Sequence, residues 1–152
     1  MKFASVSNAF FQLCKAHDAD DELLFNRNRR PYLIIMSLKY RGANRKFALP
    51  FRSDISPKTP RGQYFSLPPR PTTKPGRRHG LHYIKMFPIE TKYLEKFRID
   101  GSSYYIMLTK IINRNEKRIV KECQDYLDAY EKNGRFPFAP DIDKIVEILS
   151  RE

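Results

Sequence analysis

The chain has 152 residues, with 29 Lys and Arg against 17 Asp and Glu, for a net charge of +12. That length suits a single domain over 1–152, able to bury about 70% of its unfolded surface without help from metal or disulfides. No apolar run approaches the ~18 residues of a membrane span and the opening MKFASVSNAFF lacks a signal peptide's apolar core, so the expectation is a cytosolic protein with no membrane partner.

In chain order, Lys2–Val6 reads as a short strand, and Ser7 is a natural cap for a helix over Asn8–His17 with Phe10, Phe11, Leu13 and Cys14 on its apolar face. Residues 18–30 are polar and charged and read as a loop. Pro31–Tyr40 is β-branched, aromatic and apolar without helical spacing, the strongest strand in the chain. Arg41-Gly42-Ala43-Asn44 supplies turn chemistry, so 45–51 returns as the second arm of a hairpin. The two cysteines, Cys14 and Cys123, fall inside helical segments and read as small buried apolar groups in a reducing compartment.

Between Phe51 and Lys85 the chain turns basic. It carries Arg52, Lys58, Arg61, Arg70, Lys74, Arg77, Arg78 and Lys85, with Asp54 the one acid. Seven of the eleven prolines fall between Pro50 and Pro75. Each lacks an N–H and fixes φ, so the segment reads as an extended, solvent-facing strip hung from a sheet. Leu81–Phe87 is a further strand and 91–97 a short helix.

A long helical stretch runs from Ser103 to about Lys132, with Tyr105, Leu108, Ile112, Ile119, Cys123, Tyr126 and Tyr130 forming one stripe. Asn113-Arg114-Asn115 has poor helix propensity and is the place where it would divide, and Asn133-Gly134 is its stop. Residues 141–151 close the chain as a short amphipathic helix. The class is α+β: an antiparallel sheet or barrel with helices gathered toward the C-terminal half.

A strongly basic chain suits a polyanion, and the residue types narrow the chemistry. Only His79-x-x-His82 approaches ligand spacing and no acid lies between Asp54 and Glu90, so no metal site is expected. Phosphate-binding glycine loops are absent, and neither cysteine has the basic setting of a nucleophile. What remains is phosphoryl transfer on RNA with the ribose 2′-OH as nucleophile and no cofactor. That reaction needs cations for the charged phosphorane, hydroxyls to orient oxygens, and groups to move protons.

Arg52, Ser53, Asp54, Ser56 and Lys58 supply these types where a strand ends, and Arg27, Arg29 and Arg30 precede the neighbouring strand. If 31–40 and 45–51 form a hairpin, Arg30 and Arg52 lie at the same end of it. His79 and His82 read foremost as phosphate contacts, with proton transfer the second role. Tyr64-Phe65, in the Pro/Arg-rich strip, is a stacking candidate for unpaired bases. Arg77, Arg78 and Lys85, with Lys110, Arg114, Lys117 and Arg118 on the long helix, are candidate backbone contacts. The same charges equally suit a non-catalytic RNA-binding adaptor. A DNA-binding regulator is disfavoured, because no helix-turn-helix spacing stands out.

At these residues the chain resembles the toxin subunits of type III toxin–antitoxin and phage-abortive systems, the ToxN/AbiQ/CptN family. The resemblance is carried by MKF…Ser7, Arg30-Pro-Tyr-Leu, Ala48-Leu-Pro-Phe-Arg-Ser53, Leu81…Met86-Phe87-Pro88-Ile89 and Tyr105…Met107-Leu-Thr-Lys-Ile-Ile-Asn113…Ile119. It runs almost end to end. It implies a compact SH3-like antiparallel β-barrel with added helices, and metal-independent cutting of cellular RNA to 2′,3′-cyclic phosphate ends. It further implies inhibition by a small folded RNA antitoxin of tandem repeats, which the toxin processes and retains in a closed toxin–RNA hetero-oligomer.

The family pattern near the hairpin end is roughly P-L-[ST]-S-P-K. Here Ser53 matches the second hydroxyl, Arg52 replaces the first, and Lys58 matches the lysine after an insertion. Arg30 matches a basic residue before the long strand, and Phe10 an aromatic of the N-terminal helix that packs or stacks. On this resemblance Ser53 orients the 2′-OH or phosphate, Arg52 and Arg30 stabilise the phosphorane, and Lys58 donates a proton or clamps.

Overall fold

A computed structural model describes residues 1–25 and 30–152. Among them, seven strands and four helices follow the order β1 (Lys2–Val6), α1 (Asn8–Ala16), β2 (Tyr32–Tyr40), β3 (Ala43–Ile55), β4 (Tyr64–Leu67), β5 (Arg78–His82), β6 (Phe87–Pro88), β7 (Leu94–Lys96), α2 (Ser103–Arg114), α3 (Glu116–Asn133) and α4 (Ile142–Ser150). Among the same residues, no helix is long and apolar enough to cross a membrane.

The strands pair antiparallel in the order β4-β5-β3-β2-β1-β7, with β6 joined to β3 off that path. The α+β class is therefore as expected, but the closed SH3-like barrel is not what the pairing gives. Its two end strands do not bond to each other. The first turn of α2 spans between them instead. Tyr105 meets Phe3 of β1 and Phe97 just beyond β7, while Tyr104 meets His79 of β5 and donates to the Pro68 carbonyl after β4. Aromatic packing fills the place where ladder bonds would have closed the barrel.

The first half of β2, 32–35, is buried on both faces, which explains the apolar run there, while Met36, Ser37 and Lys39 are exposed. Leu33 and Ile35 face a core completed by Leu108, Ile112, Ile119, Cys123 and Leu127 of α2 and α3. Tyr32 and Ile34 face a second core with Phe10, Phe11 and Cys14 of α1 and Ile145, Ile148 and Leu149 of α4. The period-2 alternation thus sorts neighbouring side chains into two layers. Both cysteines are buried and unpaired, and burial pushes the Cys14 thiol up to about 12.

Helix boundaries follow local chemistry. Ser102 Oγ accepts from the Tyr105 N–H at 3.3 Å to cap α2, and Asp141 Oδ1 accepts from the Lys144 N–H at 3.1 Å to cap α4. Asn115 divides α2 from α3, its side chain donating back to the Ile111 carbonyl at 2.8 Å. Gly134, at φ 85°, ends α3. Ser7 holds the cap position of α1, yet its buried Oγ has no partner.

Three expectations change. The segment Leu81–Phe87 is not one strand: Leu81 and His82 end β5, Tyr83–Lys85 form a 3-10 turn, and Phe87 begins β6. The segment 91–97 is not a helix: after one 3-10 turn it becomes β7, an exposed edge strand beside β1. The basic strip is also not uniformly extended and solvent-facing. β3 runs on to Ile55, β4 forms inside the strip, and β5 starts at Arg78 and ends at His82 in a 3-10 turn.

β4 and β5 meet closely at Gly80, opposite Ser66 and also opposite Arg52 of β3. A Cβ there would lie 2.3 Å from the Phe65 carbonyl oxygen, a backbone atom with no room to rotate away. Gly80→Ala should therefore push β4 off the sheet and cost about 1–3 kcal/mol, seen as a lowered midpoint in urea unfolding.

Candidate active site

The end of β3 is bent by one extra residue. Arg52 is opposite Gly80 and Ile55 opposite Arg78, so β3 spends three steps where β5 spends two. A bulge of this kind breaks the alternation and re-aims side chains. Beside it opens a cleft of about 430 Å³. β3 contributes Arg52 and Asp54, the following turn Ser56, Lys58 and Thr59, and β5 with its 3-10 turn His82 and Lys85. Glu22 and Phe138 form the opposite wall.

The cations of this cleft fall into two kinds. Arg77 is consumed internally, donating to Asp54 Oδ1 at 2.7 Å and to the Asp54 carbonyl at 2.8 Å. Lys85 is buried and its Nζ donates to Glu22 Oε2 at 2.6 Å and the Phe138 carbonyl at 2.7 Å. Neither Arg52 nor Lys58 forms a direct ion pair among the described residues. Burial destabilises the charged form of the Arg52 guanidinium, Asp54 and Glu22 favour it, and Arg77 opposes it. A bound anion would relieve that burden.

His82 fixes the orientation of Arg52. Its Nδ1 lies 3.4 Å from Arg52 Nη1, and since a guanidinium only donates, Nδ1 accepts and Nε2 carries the proton. Burial, then the Arg52 and Lys85 charges, pull the imidazole down to about 3. At neutral pH His82 is therefore an uncharged N–H donor and not a cation. Ser56 Oγ accepts from the Lys58 N–H at 3.2 Å, shaping the turn that presents the exposed Lys58.

The other residues singled out from sequence divide sharply. Arg30 lies at the hairpin end with Arg52, as the register Tyr32 to Pro50 requires. Its Nη1 donates to the Phe51 carbonyl at 2.9 Å and its Nε to the Phe25 carbonyl at 3.3 Å, bracing the strand one residue before Arg52. Ser53 sits in the bulge, half-exposed, and does not line the cleft. Tyr64 is half-exposed on β4 opposite His82, and Arg78 is exposed at the start of β5. Arg29, like Arg27, lies outside the described residues.

Lys110, Arg114 and Lys117 are exposed on α2 and α3 and do not line the cleft. Arg118 stands over the Phe65 ring at 4.9 Å, pairs with Glu122 at 2.9 Å, and borders a second cavity of about 530 Å³. Gln63 lines both cavities.

Three expected RNA contacts are corrected by burial. Phe10 is fully enclosed, stacked on Phe87 at 5.2 Å, so it packs the core and reaches no base. His79 is buried against Phe51, its Nδ1 donating to the Pro68 carbonyl at 2.9 Å while Tyr104 donates to the same carbonyl. Lys85, too, is a buried tie rather than a free phosphate clamp. Sequence reasoning missed Glu22 and Phe138, which sit in loops far from the basic strip. The one sequence signal for Phe138 is its place in Arg-Phe-Pro-Phe-Ala-Pro, outside any helical period. Among the described residues no group of three or more His, Cys, Asp or Glu is gathered as metal ligands would be.

No protein-family model matches the chain, and no curated protein matches it in sequence. Solved structures do. One comes from work on the mechanism of bacterial type III toxin–antitoxin systems, describing selective toxin inhibition by a non-coding RNA pseudoknot. It aligns over 99% of this chain and 96% of its own, with TM-score 0.73 and 18% identity. Another comes from work on a processed non-coding RNA that regulates a bacterial antiviral system. It aligns over 97% and 96%, with TM-score 0.68 and 19% identity. This chain has their fold. The alignments span nearly the whole chain.

Burial of the two neutral imidazoles has a pH consequence. Below an ordinary value of 6.5 the unfolded chain takes up a proton that folded His82 refuses until about pH 3. Stability should fall as pH drops through that window, by about 2 kcal/mol at pH 5 from His82 alone, with buried His79 adding in the same direction. Calorimetry between pH 7 and 4 should show a clearly shallower decline in Tm for His82→Asn than for the native chain.

Proposed function

We propose that the chain is the RNA-cleaving toxin of a type III toxin–antitoxin system, held inactive by a small folded RNA antitoxin. The observation that carries this reading is the cleft at the end of β3, where Arg52 and Lys58 stand without acidic partners while every other cleft cation is already neutralised. The fold shared with solved type III toxin–antitoxin components supports it.

In the proposed reaction the ribose 2′-OH attacks the adjacent phosphorus. The O2′–P bond forms, the P–O5′ bond breaks, and the products carry a 2′,3′-cyclic phosphate and a 5′-hydroxyl. The proton lost from O2′ and the proton gained by O5′ balance. Arg52, half-buried and oriented by His82, faces the phosphorane charge with a planar pair of donors. Lys58 is the mobile cation on the turn, suited to donating toward the leaving oxygen or clamping the phosphate. The Nε2–H of His82 adds a neutral donor. Ser53, in the bulge beside Arg52 but outside the cleft lining, is assigned to orient the 2′-OH or the phosphate of an RNA that crosses the cleft edge, and Arg30 to brace the strand end that carries both. Exposed Arg78, Lys110, Arg114 and Lys117, with Tyr64 at the sheet edge, extend the RNA path.

The partner is then a tandem-repeat RNA whose unit the toxin processes and retains, in a closed toxin–RNA assembly that blocks the cleft. Purified protein incubated with RNA in EDTA should yield 5′-hydroxyl and 2′,3′-cyclic phosphate ends. Arg52→Ala should lower kcat by about 10²–10³-fold, with Ser53→Ala and Lys58→Ala also reducing cleavage and toxicity in cells lacking the antitoxin. Intact RNA, bound with a steep salt dependence, would instead establish a non-catalytic RNA-binding adaptor.

A further inference from the structure

We infer that Phe138 is a stacking platform for a nucleobase at the mouth of the cleft, an inference that rests on the RNA reading above. Phe138 is 72% exposed, the most exposed of the large apolar residues described. It is not a stray surface residue, because it lines the same cleft as Arg52, Lys58 and His82.

The backbone holds that ring in place at a conformational cost. Phe138 adopts φ 66°, the left-handed region that bulky residues avoid. Its carbonyl accepts from Lys85 Nζ at 2.7 Å, and the Ala139 N–H donates to the Phe136 carbonyl at 3.2 Å across the turn. Pro137 and Pro140 flank the segment and limit its freedom. Within the chain the ring gains little packing in return. Glycine would satisfy the same backbone and the same carbonyl bond without strain. A phenyl ring here therefore serves something outside the chain.

The chemistry of the cleft selects that partner. It carries half-buried Arg52 and the neutral donor His82, with exposed Lys58 on the adjoining turn, and these suit a phosphate. Its rim offers one flat apolar face, which suits a π-system. A nucleotide of single-stranded RNA has both parts in this arrangement, and stacking of this kind tolerates any base. A free inorganic anion would use these donors but leave the ring idle. An apolar protein segment would use the ring but leave the cations unmatched.

The experiment uses full-length protein and short single-stranded RNAs carrying 2-aminopurine, with 2′-O-methyl riboses so that they cannot be cut. Native protein should quench the probe. Phe138→Gly should retain or raise Tm, since glycine suits φ 66°, yet lose quenching and bind about tenfold more weakly. Phe138→Trp should keep both, and Phe138→Leu should bind as poorly as the glycine variant. With a cleavable RNA the loss should appear chiefly in KM.

Equal binding and quenching by the glycine variant would overturn the inference while leaving the nuclease reading intact. Recovery by leucine would replace stacking with a plain apolar contact and overturn it as well. If native protein cuts no RNA, the nuclease reading fails, but the quenching of the uncleavable probe still decides the role of Phe138.

Discussion

The cleft depends on one buried ammonium. Lys85 leaves the end of β5 by way of a 3-10 turn and places its side chain, 7% exposed, between two loops that are remote in sequence. Its acceptors are the Glu22 carboxylate and the Phe138 carbonyl, so a single charge ties residues before β2 and residues after α3 to the strand bearing His82. A lysine can be buried only if its charge is matched and its N–H groups are used, and here both conditions are met across chain distances of 63 and 53 residues. Both acceptors come from residues with left-handed backbone, φ 64° at Glu22 and φ 66° at Phe138. Strain of that kind persists only where the surroundings over-determine it, and the shared ammonium is the determinant.

That tie also sets the electrostatics next to it. The Lys85 charge and the Arg52 charge, added to burial, keep His82 neutral. A neutral His82 can accept from Arg52, whereas an imidazolium could only repel it. The arrangement therefore leaves Arg52 without a direct ion pair while holding its guanidinium against one neutral acceptor. Arg77 performs a parallel task on the other side: it donates to the Asp54 carboxylate and to the Asp54 backbone carbonyl, bracing the bulge and occupying an acid that still favours the Arg52 charge without pairing directly with it. Two cations are spent on architecture so that two others stay available.

Much of the frame was legible in the sequence because its determinants are local. The β2–β3 hairpin, the α2–α3 division at Asn115 and the stop at Gly134 each follow from turn or cap chemistry within a few residues. The hairpin also placed Arg30 and Arg52 together, because strand register alone fixes which ends meet. What escaped depends on distant partners. His79 looked like a surface cation until Tyr104, 25 residues on, covered it. For Phe10 the helical spacing pointed inward and the resemblance pointed to packing or stacking, and its contact with Phe87 follows the spacing. β7 is too short and too exposed to show alternation, and it is a strand only because β1 offers a free edge. Glu22 and Phe138 became part of the site through Lys85, a contact that no window of sequence contains.

The basic strip shows why net charge locates a partner class but not a site. Of its eight Lys and Arg residues, Lys85 and Arg77 are bound to acids, and Arg70 lies over the rings of Tyr104 and Tyr105. Free surface lysines and arginines raise affinity for any polyanion and are screened by salt. A half-buried Arg52 behaves differently. Withdrawn from water and left without a direct carboxylate, it carries a charge that burial penalises, and on the proposed reading a phosphate bound beside it would offset that penalty in a way that no exposed lysine of the strip could match.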